Sequence, residues 1–82
     1  MKPVIQTGGY AVKQGSNIAI RSVGPSQVIA MLNWLFYYRG VVPSPNATDM
    51  QITTWFDNHA DHHETTSGEK VCVIEVTVQE NS

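Results

Sequence analysis

Residues 57–64, DNHADHHE, concentrate side chains that could bind a metal or transfer protons. They include three histidines, two aspartates and a glutamate, in a chain where charged residues make up only 15%. His59 and His63 are four residues apart, so on a helix they lie on one face, the spacing that zinc sites of the H-E-x-x-H type use. Ala60 stands where that motif has its general-base glutamate. The segment therefore offers two ligands but lacks the base.

The other polar side chains of this segment diverge on a helix. Asp57 and Asp61 point about 160° away from His59 and His63, and His62 projects about 100° away from His63. A structural zinc site uses four ligands, so we favour an ordinary polar helix end and expect no cofactor. A metal site at His59, His63 and perhaps also His62 stays an alternative. No serine has an activating base nearby in sequence, so we expect no enzyme activity.

Size and charge narrow the functional classes. The 82 residues predict one small domain, residues 1–82, with a thin hydrophobic core. The net charge is −2 and the five Lys and Arg residues are scattered, so nucleic-acid binding is not expected. The N-terminus has no signal-peptide pattern and no segment reaches the length of a membrane span. We expect a cytoplasmic protein, in the host cell if it is viral.

Alternation of apolar and polar residues predicts the strands. Residues 10–22 predict a β-hairpin around the turn QGSN, with Gly8 and Gly9 as a bulge after a strand at residues 3–7. Residues 69–79 predict a long strand in the centre of the sheet. Its apolar face would hold Cys72, Ile74, Val76 and Val78, with the single cysteine buried.

Helical periodicity predicts two helices. Residues 24–40 have Pro25 in the first turn, Gly40 at the C-cap and an apolar face of Val28, Ile29, Leu32, Leu35 and Phe36. Residues 48–64 begin with a Thr48–Gln51 capping box and continue with apolar residues at helical spacing. The predicted fold class is α+β, in the order ββααβ, with a mainly antiparallel sheet and helix packed on one face. The alternative is ββαββ, because residues 52–54 are β-branched.

The first helix has a second apolar side, since Ala30, Trp34 and Tyr37 lie opposite Leu32. Two interpretations are open. Either the second helix covers this side, or it contacts a partner, because Trp and Tyr dominate interface hot spots. The second interpretation predicts a partner-binding set of Trp34, Tyr37, Asn33, Tyr38 and Ala30.

We therefore expect a non-catalytic protein-binding module. It would be a small inhibitor or adaptor of the kind that phages and mobile elements encode, acting on a host protein complex. Two alternatives are a structural subunit of a homo-oligomeric assembly and a metal-binding protein that uses the histidines at 59–63. Homodimerisation through exposed aromatic residues is also expected, because the core is thin.

Overall fold

The described part of the chain forms a sheet of three antiparallel strands, in the order Asn17–Gly24, Val4–Gln14, Val71–Asn81. A computed structural model describes the backbone of residues 4–81 and the side chains of residues 8–77; residue 3 of the predicted first strand lies outside it. The strands are β1 (Val4–Gln14), β2 (Asn17–Gly24) and β3 (Val71–Asn81). The prediction that the C-terminal strand is central is wrong. β1 takes that place because it pairs on both sides, whereas β3 pairs with β1 alone.

The bulge lies in β2 and not at Gly8–Gly9, where it was expected. Val12 pairs with Ala19, but Tyr10 pairs with Gly24, so β2 has extra residues between these two points. The buried Ser22 hydroxyl accepts a hydrogen bond from the Val12 N–H at 2.8 Å and donates to the Ala19 carbonyl. A side chain thus takes the place of a backbone partner in the interrupted ladder.

Both helices begin and end with local capping interactions. Helix α1 (Gln27–Arg39) is capped by Ser26, whose Oγ accepts from the Ile29 N–H at 3.2 Å, and it ends at the left-handed Gly40. Pro25 therefore precedes the N-cap and does not lie in the first turn. Helix α2 (Asp49–Ser67) has the predicted capping box of Thr48 and Gln51. This helix confirms the order ββααβ over the ββαββ alternative.

The two helices cover the same face of the sheet and enclose a single core. Val12 lies in this core and pairs with Ala19 on one side and Val73 on the other. The fully or nearly buried apolar residues of the core are Val12, Ala19, Ala30, Trp34, Leu35, Ile52, Phe56 and Ala60, with Val71 and Val73 packed against them. The described part of the molecule is thus a two-layer α+β domain, as predicted.

Neither of the two described helices lies on the opposite face of the sheet. Lys13 pairs with Ile18 in β2 and with Cys72 in β3, and all three alternate with core residues. Cys72 is exposed, so the prediction that it is buried is wrong. The core side of β3 is the one that carries Val71 and Val73, not the predicted face of Cys72, Ile74 and Val76. Val78 lies outside the described side chains.

Neither α1 nor α2 combines the length and the apolar character that crossing a bilayer requires.

Candidate functional site

Trp34 is the residue on which the predicted binding set depended, and it is 0% exposed. Its ring packs edge-on against Phe56 of α2, with centroids 5.3 Å apart, and against His63 at 6.3 Å. Ala30 on the same side of α1 is also completely buried. Assigning Trp34 and Ala30 to a partner-binding surface is therefore wrong. The other interpretation is confirmed, because α2 covers this side of α1.

The side of α1 that was predicted to face the core lies partly in solvent instead. Phe36 is 47% exposed and Ile29 is 36% exposed, whereas Leu35 from the same predicted face is buried. The helix carries apolar residues on every side, so periodicity alone could not say which side meets the sheet. The size of Trp34 was the one sequence signal for the buried side of α1, since a large side chain is needed to fill the space between two helices and a sheet.

Exposed large apolar residues are most frequent in two elements, β2 and α1. Eight large hydrophobic residues are exposed in the described part of the chain, and six of them belong to β2 or α1. We use the name β2–α1 surface for Arg21, Ile29, Phe36, Tyr37 and Tyr38. The two exposed apolar residues outside β2 and α1 are Val42 and Met50.

Direct contacts join the two elements of the β2–α1 surface. The Arg21 guanidinium lies over the Tyr37 ring, 5.7 Å from its centroid. The Arg21 backbone N–H donates to the Tyr38 hydroxyl at 3.1 Å. Phe36 and Tyr37 meet edge-on with centroids 5.0 Å apart. Tyr37 and Tyr38 are thus held against β2, and Phe36 is held against Tyr37.

Asn33 supports this surface from within. Its Nδ2 donates to the carbonyls of Ser22 and Val23, at 3.4 and 3.3 Å. A methyl group on Gly24 would lie 2.7 Å from the Ile29 side chain, so the end of β2 approaches α1 closely. Of the predicted partner-binding set, Tyr37 and Tyr38 are exposed, Asn33 is partly buried, and Trp34 and Ala30 are buried. Sequence reasoning missed Arg21, Ile29 and Phe36.

The three histidines have separate environments. His59 Nδ1 accepts from Arg39 Nε at 3.4 Å, and His63 Nε2 lies 3.1 Å from Glu69 Oε1. His62 is exposed. Burial, the Arg39 charge and the His62 charge together lower the pKa of His59 below its ordinary value. Within residues 8–77 no three His, Cys, Asp or Glu side chains converge on a point that could hold a metal ion.

An open cleft at one end of the sheet brings together few groups that could act in catalysis. It has a volume of about 550 Å³ and lies where β1 and β3 continue past the end of β2. Among its lining residues only Tyr10 and Glu75 have ionisable side chains, and the two are cross-strand neighbours. The lining residues are Gly8, Gly9, Tyr10, Glu75, Val76 and Thr77.

Comparison with known proteins gives no information about the function of this chain. No protein-family model, no curated protein and no solved structure matches this chain.

Proposed function

We propose that this protein is a non-catalytic protein-binding module, a small inhibitor or adaptor that acts on a host protein complex in the cytoplasm. The observation that carries the proposal is the concentration of exposed apolar residues on β2 and α1. Phe36 and Tyr37 are 47% and 53% exposed, so each leaves roughly 100 Å² in water. With Ile29 and Tyr38, which are 36% and 38% exposed, the surface reaches a few hundred Å², the size of the largest patch on a typical monomer, which is often functional.

The composition of the β2–α1 surface also favours protein recognition. Tyr and Arg are enriched at interface hot spots, and here Arg21 already lies against Tyr37. Aromatic side chains have few rotatable bonds, so fixing them in a complex costs little conformational entropy. Edge-on packing of Phe36 and Tyr37 lowers that cost further, because the rings restrict each other before binding.

The experiment is affinity capture from host cells with matched variants. Wild type, the double variant Phe36→Ala/Tyr37→Ala and the control Val42→Ala/Met50→Ala are compared. The control removes two apolar side chains that are even more exposed, at 79% and 80%, but lie outside the surface. The proposal predicts a partner that wild type and control retain and that the aromatic variant binds about 30-fold more weakly, equivalent to about 2 kcal/mol.

Circular dichroism and urea unfolding first establish that all three proteins fold alike. Equal capture by the aromatic variant and the control would overturn the assignment of this surface.

A further inference from the structure

The two edge strands of the sheet, β2 and β3, differ in whether other groups bond to their outward-pointing backbone. On β2, the bulge interrupts the edge, the Tyr38 hydroxyl accepts from Arg21, and Asn33 donates to Ser22 and Val23. Such features keep an edge strand from pairing with another chain. On β3, no described side chain bonds to the outer backbone groups of residues 71–77, and its pairing with β1 is regular throughout. One edge is protected and the other is free within the described residues.

The direction of each β3 backbone group follows from the hydrogen bonds to β1. The Gly15 N–H donates to the Lys70 carbonyl at 2.8 Å, so Lys70 and every second residue after it face β1. The Val12 N–H, which donates to Ser22 on β2, fits this alternation. The N–H and C=O groups that point outward therefore belong to Val71, Val73, Glu75 and Thr77.

We propose that β3 pairs antiparallel with β3 of a second copy of this chain, about a two-fold axis at Ile74. The two sheets then form one continuous sheet of six strands. In this register Val71 faces Thr77 of the second copy, and Val73 faces Glu75 of the second copy. Each of these pairs exchanges two backbone hydrogen bonds.

Self-pairing suits β3 for reasons of charge and side-chain shape. Glu75 is the one charged residue between positions 71 and 77. The register at Ile74 places Glu75 opposite Val73 of the second copy and away from the second copy's own Glu75. The pairs on the helix-free face are Ile74 with Ile74 and Cys72 with Val76, and β-branched cross-strand pairs stabilise sheets. An axis at Glu75 would instead set two carboxylates directly opposite each other, which is unfavourable.

Proline substitutions test the pairing without disturbing the fold. Glu75→Pro and Thr77→Pro each remove an outward N–H, a position at which edge strands tolerate proline. Ile18→Pro is the matched control, because Ile18 pairs with Lys13 and its N–H points outward from the other edge. Sedimentation equilibrium between about 10 μM and 1 mM should show a dimer for wild type and control. Both β3 variants should be monomeric, with wild-type circular dichroism.

A disulfide cross-link tests the register independently of the proline variants. In the Ile74 register, Cys72 lies opposite position 76 of the second copy in a non-hydrogen-bonded pair, with Cα atoms about 4.5 Å apart. That separation permits a disulfide. Val76→Cys should therefore form a covalent dimer on mild oxidation, and the wild type, with Cys72 alone, should not. Positions 72 and 76 of one copy are about 13 Å apart and cannot bridge.

The outcomes separate this inference from the proposed function. Phe36→Ala/Tyr37→Ala should remain dimeric, because neither residue lies on β3. A wild type that stays monomeric at 1 mM, or a Val76→Cys protein that gives no covalent dimer, would overturn the pairing and leave the β2–α1 surface unaffected. Capture of a different protein that is lost with Glu75→Pro, while wild type stays monomeric, would assign the edge to that protein instead and likewise overturn the dimer.

Discussion

At the scale of single residues, His59 connects the histidine segment of α2 to Arg39 of α1. Its Nδ1 accepts from Arg39 Nε at 3.4 Å, which requires the neutral form of the ring. Burial first, then the charges of Arg39 and His62, lower the pKa of His59 from 6.5. The clustering of titratable residues in DNHADHHE could be read from the sequence. The placement of Arg39 beside His59 could not, because it depends on how α1 crosses α2.

This lowered pKa predicts a loss of stability in mild acid. As the pH falls through 6.5, the unfolded chain takes up a proton at His59 that the folded protein resists, so the free energy of unfolding decreases. The decrease stops once the pH is below the folded-state pKa. His59→Gln should flatten this part of the stability profile. Urea unfolding at closely spaced pH values from 5 to 8 measures it, and an unchanged slope in the variant would contradict the assignment to His59.

At the scale of elements, the C-terminal end of α1 and the N-terminal end of α2 were predictable from the sequence. The buried sides of α1 and β3 were not. The Thr48–Gln51 capping box and Gly40 are local signals, and both mark real helix termini. By contrast, α1 is apolar on every side and β3 has β-branched residues on both faces. Which side of α1 or β3 is buried depends on how the other elements pack against it. For this reason Trp34 was predicted to be exposed and is buried, whereas Cys72 was predicted to be buried and is exposed.

The packing of α1 against α2 gives a prediction for Trp34. The indole Nε1 is buried and has no hydrogen-bond partner in the described structure. Trp34→Phe therefore loses part of the ring volume but no hydrogen bond, and should cost less than about 2 kcal/mol. Trp34→Ala should cost about 3–5 kcal/mol, because it leaves a cavity between the helices. Urea unfolding measures both. Equal costs would show that the indole N–H has a bonding role.

At the scale of the whole molecule, both helices pack on one face of the three-stranded sheet, and within the described residues no second layer covers the other face. Only part of this arrangement followed from the sequence. The element order and the antiparallel sheet were predictable from alternation and turn residues. The strand order was not predictable. β3 pairs with β1 although both helices lie between them in the sequence, and no local sequence signal encodes such a long-range pairing.

Substitutions on the two faces of the sheet distinguish edge-to-edge pairing of two copies from face-to-face stacking. Val12 on the covered face is completely buried and Ile18 on the other face is 46% exposed. Val12→Ala should therefore cost about 2 kcal/mol, and Ile18→Ala less than about 1 kcal/mol. Pairing through the β3 edge leaves the sheet faces as they are, so this difference should persist at concentrations where the dimer forms. If copies instead stacked face to face, Ile18 would become buried and its substitution would cost more as concentration rises. Urea unfolding of both variants at low and high protein concentration measures the difference, and a concentration-dependent cost at Ile18 would exclude association through the strand edge alone.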